Sequence, residues 1–473
     1  MNRQAQPHLE ATTYDRSNCQ IGIVHLGFGA FHRAHQAVYI DQYLEATGDL
    51  RWGIAAVNLR AADTAAFKAV QKASEGYLLK TTSPDDHVRY QLVRSHVAYA
   101  DWSKDTDQAE DLVCLDSVKA ITLTVTESGY YLDDNWSLDV SQPVIAAEIR
   151  GESPTSIYGY LAGALARRAT AGGAPITVLC CDNIRSNGEV LQRNFVKYLK
   201  ALGKSELLGW VQENVSFPCS MVDRITPRTS DALADEVARA FPLRDLAPIH
   251  GESFIQWVIE DRFAGEMPDL SRVGVQVVSN VHPFEEAKIR ILNGGHTGLC
   301  YLGALAGYDT FDEAMRDPEL RSHFDRFEAD NVLVGLQLEL PFDREDYVAQ
   351  IAARFSNRAI ADDLARICMD GWSKFPIFVH PTMEGCLAQG VVPEAAFDSV
   401  ASWYVYARRW AAGKMHVPYN EPYWELLKPL LEPGQEFAFA RCKALWSQLP
   451  EEYEEFAPGL ERAIKRMEEK WPA

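Results

Sequence analysis

In the stretch "HPFEEAKIRILNGGHTG", residues 282–298, Lys288, Asn293 and His296 fall close together. A lysine in an apolar setting gives up its proton more easily, because desolvation disfavours the ammonium, and it can then act as a base near neutral pH. An asparagine amide can donate an N–H to an oxygen on which negative charge is building. On a helix of about 100° per residue, Lys288 and His296 lie about 80° apart, Lys288 and Asn293 about 140°, and Asn293 and His296 about 60°, so one broad face presents all three to a cleft. Gly294 and Gly295 weaken a helix at this point and suggest that another backbone or a ligand comes close. Read alone, these residues favour a plainer alternative, a surface lysine beside a helix-capping asparagine.

A second chemistry lies near the start, in "IGIVHLGFGAFHRAHQAVYIDQYLEATG", residues 21–48. Gly27 and Gly29 follow a short apolar run and precede an amphipathic pattern. Glycine there lets the chain turn tightly and lets a pyrophosphate approach the helix N-terminus, where unpaired N–H groups point at the anion. A G-x-G also serves any tight turn. The third small residue of the usual G-x-G-x-x-G/A fingerprint is missing, and His32 stands in its place. Arg33 beside it can supply a cation for phosphate. His32 and His35, three apart on one helix, are expected to serve packing and surface polarity, since a metal pair would lack further ligands. The fingerprint also asks for an acidic residue about 20 residues on, at the end of the second strand. Asn58 occupies that end and Asp63 is the next carboxylate, able to bind a ribose diol. Arg60 between them leaves a 2′-phosphate open, and Asp63 could equally be a helix-start residue.

These residues need strands and helices to hold them. "IGIVHL" (21–26), "WGIAAVNL" (52–59), "VKAITLTVTESGYY" (118–131), "APITVLCCDN" (174–183) and "VGVQVVS" (273–279) read as strands by their β-branched content and their turn stops. "AHQAVYIDQYLEATG", "ADTAAFKAVQKA" and "TSIYGYLAGALARRATAGG" read as helices, the first ending at Gly48. "DHVRYQLVRSHVAYAD" (86–101) alternates and predicts a hairpin off the main sheet. Strands alternating with helices imply an α/β fold with a mostly parallel sheet covered on both faces. After residue 284 the spacing becomes helical in "EEAKIRILNGGHTGLCYLGALAG", "SHFDRFEADNVLVGLQLEL", "REDYVAQIAARFSN", "RAIADDLARICMDGWSKF" and "AFDSVASWYVYARRWAAG". Two domains are expected, residues 1–284 and 285–473.

Composition narrows the function classes. A chain of 473 residues exceeds one ordinary core. A net charge of −20 argues against nucleic acid or anionic membrane as the main partner. The first twenty residues have no apolar core of a signal peptide, and no apolar run reaches the length of a membrane span. Nine scattered cysteines form no C-x-x-C pair, and Cys180 and Cys181 end an apolar run as buried thiols do. A reducing cytoplasm and no metal site are the expectation. Nothing fixes the oligomeric state, a monomer or a small homo-oligomer.

Five segments together, "LGFGAFHRAHQAVYIDQ", "TVTESGYYLD", "CDNIRSNG", "MVDRITPRTSD" and "EEAKIRILNGGHTGLCYLG", resemble the mannitol dehydrogenase family of long-chain, zinc-independent polyol dehydrogenases. The likeness runs in order from about residue 20 to beyond 410. It implies a Rossmann-type N-terminal domain binding NAD, a mostly helical C-terminal domain, and an active site between them. The family's motif is G-x-G-x-F-H-R-x-H, so Gly27, Phe28, Gly29, Phe31, His32 and Arg33 form its cofactor turn. By the same resemblance Lys288 is the general base, Asn293 one of two asparagines on the reacting oxygen, and Asn183 the other, with Asn187 its rival. His296 contacts substrate, and Glu285 relays the lysine's proton toward solvent. Asp223, Arg366 and Lys374 bind sugar hydroxyls or shape that site. Asp63 favours NAD over NADP, and Glu127 lies on the nucleotide side. "YYLDDNWSLD" and "CDNIRSNGE" look more like the D-arabinitol 4-dehydrogenase branch than the mannitol 2-dehydrogenase branch. Fructuronate or tagaturonate reductase is a further branch, and a catalytically silent NAD-binding sensor is the alternative outside enzymes.

Overall fold

The computed structural model describes residues 7–73, 75–133, 135–227, 229–242 and 245–472. The chain divides into two units. One holds the chain up to Thr82 together with His87–His282; the other holds Ser83–Asp86 and the chain from Pro283 onward.

The first unit is built on a six-stranded sheet. Its strands, in chain order, are Ile21–Leu26, Gly53–Asn58, His96–Asp101, Ala120–Leu123, Ile176–Cys180 and Val215–Ser216. Numbered that way, their order across the sheet is 3-2-1-4-5-6, and every neighbouring pair is parallel. This is the doubly wound dinucleotide-binding order, whose switch point lies between the first and fourth strands. Parallel strands are covered on both faces, and the residues show it. Val24, Leu26, Ile121 and Val178 pack on one side with Tyr158, Leu161 and Phe195. Ile23, Ile54, Ala120 and Leu179 pack on the other with Tyr39, Ile40 and Leu44. The helix Gln36–Thr47 ends where expected, because Gly48 takes a left-handed cap.

Alternation over 86–101 predicts a hairpin, but its two halves join different sheets. Val88–Val93 pairs with Leu9–Ala11 and Tyr77–Thr82 in a four-stranded sheet completed by Ile249–Glu252. His96–Asp101 is instead the edge of the main sheet, parallel to Gly53–Asn58. The two residues between them are tied down separately. Arg94 donates its amide to Asp41 at 2.9 Å, and the Ser95 hydroxyl donates to the Ala37 carbonyl at 2.8 Å. The helix Gln36–Thr47 thereby redirects the chain. The strand read in 273–279 exists as Gln276–Val278, but in a three-stranded sheet with Gln256–Glu260 and Ser220–Asp223.

The second unit is helical among its described residues. Its core joins the apolar helix Gly294–Ala306 to Glu394–Ala411, with Phe375, Trp403 and Tyr406 fully buried between its elements. The stretch "RAIADDLARICMDGWSKF" is not one helix. It breaks into Leu364–Ile367 and Gly371–Phe378, with Asp370 in a left-handed conformation between them, its carboxylate accepting the Ser373 amide.

Candidate active site

At the switch point the first strand runs into Gly27. Its φ is +91°, and a Cβ there would lie 2.1 Å from the Thr124 carbonyl oxygen, so only glycine fits. Gly29 caps the short helix Ala30–Ala34 in extended conformation, and a Cβ there would find nothing beyond its chain neighbours within 4 Å. The turn therefore leaves open space where a phosphate is expected.

Beneath it lies a stack of imidazoles. His25 Nε2 is 2.8 Å from the Gly27 carbonyl and its Nδ1 is 2.7 Å from the Thr122 hydroxyl. The His32 ring stacks on His25, and its Nε2 is 2.9 Å from Nε2 of His96. Burial pushes His25 down to about 3, and holds His32 and His96 well below 6.5, so all three are neutral. His32 and His35 are fully buried, which corrects the expectation of surface polarity, and they do not share a helix. His35 sits at the break between Ala30–Ala34 and Gln36–Thr47. With no exposed surface, His32 shapes the turn from below. Phe28 meets His96 and Phe67 edge-on, Phe31 stacks on His35, and the Arg33 guanidinium lies over the rings of Phe28 and Tyr77.

At the second strand's end, the Asn58 amide donates to the Arg60 carbonyl at 3.0 Å and to Asp101 at 2.9 Å. Asp63 is half exposed and accepts from Arg60 Nε at 2.7 Å. It stands at the N-cap of the helix Thr64–Lys72, the helix-start position also expected, without a capping hydrogen bond from its side chain.

Glu127 opens a short turn after the fourth strand and is exposed. Asn183 is exposed after the fifth. Asn187 is 1% exposed, and its amide donates to the carbonyls of Cys180, Asp182 and Ser220 while its oxygen accepts the Ser220 amide at 2.9 Å. That side chain is committed to the scaffold. Asp223 is buried at the end of Ser220–Asp223.

In the second unit the helical arithmetic fails for a definite reason. Lys288–Asn293 is a π-helix, placed between the α-helical turns His282–Ala287 and Gly294–Ala306. The wider turn changes the angles between Lys288, Asn293 and His296, and such bulges are frequent at functional sites. Lys288 is 7% exposed and Glu285 is equally buried, so the surface-lysine alternative does not hold. The two glycines are explained by protein. A Cβ on Gly294 would come 3.2 Å from the Phe378 carbonyl oxygen, and one on Gly295 would come 2.7 Å from Glu328 Oε1.

His296 stacks on Phe355 at 4.1 Å and meets Phe311 edge-on. Burial holds it well below 6.5, and the charges of Arg366, Arg354 and Lys374 push the same way. Arg366 and Lys374 thus lie in the field of His296. Each is anchored: Arg366 Nε donates to Asp362 at 2.8 Å, and Lys374 Nζ to the Ile367 carbonyl at 2.8 Å. Among the described residues no group of three or more His, Cys, Asp or Glu could hold a metal ion, and no helix is long and apolar enough to cross a membrane.

His25, His96, Asp101 and Asp182 support the site residues although no motif in the sequence assigns them a role. A carboxylate placed directly after a buried strand, as in "CCDN", is the signal for the last, because it stands beside amides that the sheet has just released.

Residues 21–272 match the family model of the mannitol dehydrogenase Rossmann domain, and residues 280–456 that of the mannitol dehydrogenase C-terminal domain. A D-arabinitol 4-dehydrogenase of Ralstonia nicotianae is 37% identical, over 90% of this chain and 92% of its own. A polyol:NADP oxidoreductase of Gluconobacter oxydans is 36% identical, over 80% of this chain and 78% of its own. The structure of Pseudomonas fluorescens mannitol 2-dehydrogenase in ternary complex with NAD and D-mannitol superposes with a TM-score of 0.85 at 31% identity, covering 99% of this chain and 97% of that one.

Proposed function

Because the chain belongs to the mannitol dehydrogenase family, we propose that it is an NAD-dependent polyol dehydrogenase that interconverts a sugar alcohol and a ketose, with D-arabinitol and D-xylulose as its pair. The observation that carries the reading is the buried Lys288 on a π-turn ending at Asn293, in a chain that shares 37% identity over 90% of its length with a protein named for this activity. The mannitol 2-dehydrogenase reading stands second, favoured by the likeness to the mannitol complex.

The first unit is the cofactor domain. The strand order, the positive φ of Gly27 and the open space at Gly29 fit a dinucleotide. Gly27, Phe28, Gly29 and Phe31 would form its turn, with His32 and Arg33 supporting it, Asp63 on the ribose diol and Glu127 on the nucleotide side. When bound, NAD supplies the acceptor for the hydride that leaves the carbinol carbon. The second unit is the substrate and catalytic domain. Lys288 takes the hydroxyl proton as the carbon is oxidised, and Glu285 passes that proton onward. Asn293 and Asn183 donate amide N–H groups to the oxygen as charge builds on it. His296, neutral and fixed between Phe311 and Phe355, contacts the substrate. Arg366, Lys374 and Asp223 hold hydroxyl groups or shape the site.

The test is a panel of polyols and sugar acids with NAD and NADP, following reduced cofactor by absorbance. D-Arabinitol with NAD is expected to give the highest kcat/KM. D-Mannitol in first place would move the reading to the second branch, and no cofactor reduction with any polyol would overturn it.

A further inference from the structure

Two neighbouring strands of the main sheet leave it side by side. Ala120–Leu123 continues through Thr124, Val125 and Thr126 into the turn Glu127–Tyr130. Ile176–Cys180 continues through Cys181 and Asp182 to Asn183. The Asp182 carboxylate joins them. It accepts the Val125 amide at 2.9 and 3.1 Å, the Thr126 amide at 3.0 Å and the Tyr130 hydroxyl at 2.6 Å. The Tyr130 oxygen also lies 2.9 Å from Cys180 Sγ. One partly buried carboxylate thus satisfies two consecutive amides that the parallel ladder has just released, and a buried phenol.

The backbone it grips is strained. Thr126 has φ +69° and ψ 160°, a conformation that β-branched residues rarely adopt, and Tyr131 at the other end of the turn has φ +50°. Strain of this kind persists only where surrounding contacts over-determine it, and it gathers at functional sites. One of the bonds from Asp182 ends on the amide of Thr126 itself. Glu127 directly follows Thr126, Asn183 directly follows Asp182, and the Thr124 hydroxyl donates to the Gly27 carbonyl at 3.1 Å. The held segment therefore also abuts the glycine turn.

We propose that Asp182 is a positioning residue that clamps these two strand exits together, so that Glu127 is presented to the dinucleotide and Asn183 to the reacting oxygen in fixed register, and that protonation of its carboxyl loosens the clamp. This rests on the reading of these exits as flanking the cofactor and the reacting oxygen. Burial lifts the Asp182 carboxyl to about 6, against the pull of its three donors. The titratable groups that face it are Tyr130 and Glu127 from the neighbouring exit, and Cys180 and Cys181 on its own strand. The sign follows. Above about pH 6 the carboxylate accepts all three donors; as pH falls through that value a proton occupies one oxygen and the grip weakens.

The experiment measures NADH binding to the full-length protein between about pH 5 and 8 for wild type, Asp182→Asn and Tyr130→Phe. Wild-type affinity is expected to fall about tenfold toward the acid end, with an inflection near pH 6. Asp182→Asn should bind about tenfold more weakly at pH 7.5 and lose the inflection. A variant with wild-type affinity, or one that keeps the inflection, overturns the proposal. Tyr130→Phe leaves the carboxylate but removes a donor that lowers its titration, so the inflection should move to higher pH; an unmoved inflection also overturns it. Asn183→Ala separates the two claims. Normal turnover in that variant would sink the site reading, whereas a pH-dependent grip lost in Asp182→Asn would still stand.

Discussion

Asp63 already holds a cation. Arg60 pairs with it at 2.7 Å with both side chains exposed, so the pair parts at small cost and the carboxylate is free to take a ribose diol. The same carboxylate repels a 2′-phosphate and neutralises the Arg60 guanidinium that would attract it. Asp63→Ala is therefore expected to lower the NAD-over-NADP ratio of kcat/KM by about tenfold while leaving kcat with NAD close to wild type. Equal efficiency of the wild type with both cofactors would instead make Arg60 a phosphate ligand. Glu328 presents a different residue problem. It is fully buried, neither oxygen has a hydrogen-bond partner among the described residues, and burial raises it well above the ordinary 4.5 despite the nearby charge of Arg290. The folded protein then binds a proton that the unfolded chain releases, so stability falls as pH rises above about 4.5. Glu328→Gln should flatten this slope in thermal midpoints measured between about pH 5 and 8; identical slopes would show that the carboxyl does not titrate in the folded protein.

At the scale of elements, the two π-turns decide the geometry. Lys288–Asn293 and Phe327–Val332 pack on one another, and Glu328 of the second lies against Gly295 just beyond the first. Gly295→Ala puts a methyl 2.7 Å from Glu328 Oε1 and 2.9 Å from a Phe324 ring carbon. It is expected to cost about 1–3 kcal/mol in denaturant unfolding and, by moving the adjacent His296, to lower turnover as well. A variant of unchanged stability would mean that the two turns are not rigidly opposed. Hydrophobic periodicity made the surrounding helices legible, because burial on one side repeats every 3.6 residues. It could not reveal a π-turn, whose extra residue leaves the apolar content unchanged. The strands Ile21–Leu26, Gly53–Asn58 and Ile176–Cys180 were legible as buried β-branched runs. The partners of Val88–Val93 and His96–Asp101 were not, since alternation reports a half-buried strand without naming its neighbour, and here Asp41 and the Ala37 carbonyl redirect the chain.

Across the whole molecule, the glycine turn and the lysine stretch were legible because their residue types are unusual where they stand. What remained hidden was the support: His96 reaches the imidazole stack under Gly27, and Val125, Thr126 and Tyr130 reach Asp182, from parts distant in sequence that the sheet brings together. If the first unit binds the cofactor and the second transfers the proton, one substitution should separate them. The direct measurement is the pH–rate profile of polyol oxidation for wild type and Lys288→Ala, with NADH affinity measured on the same preparations. Wild-type oxidation is expected to rise with pH as the amine loses its proton, and Lys288→Ala to lose about 10²–10⁴-fold in kcat with NADH affinity nearly unchanged. Near-wild-type turnover in Lys288→Ala, with the same apparent pKa, would contradict the account and pass the proton to Glu285 or His296.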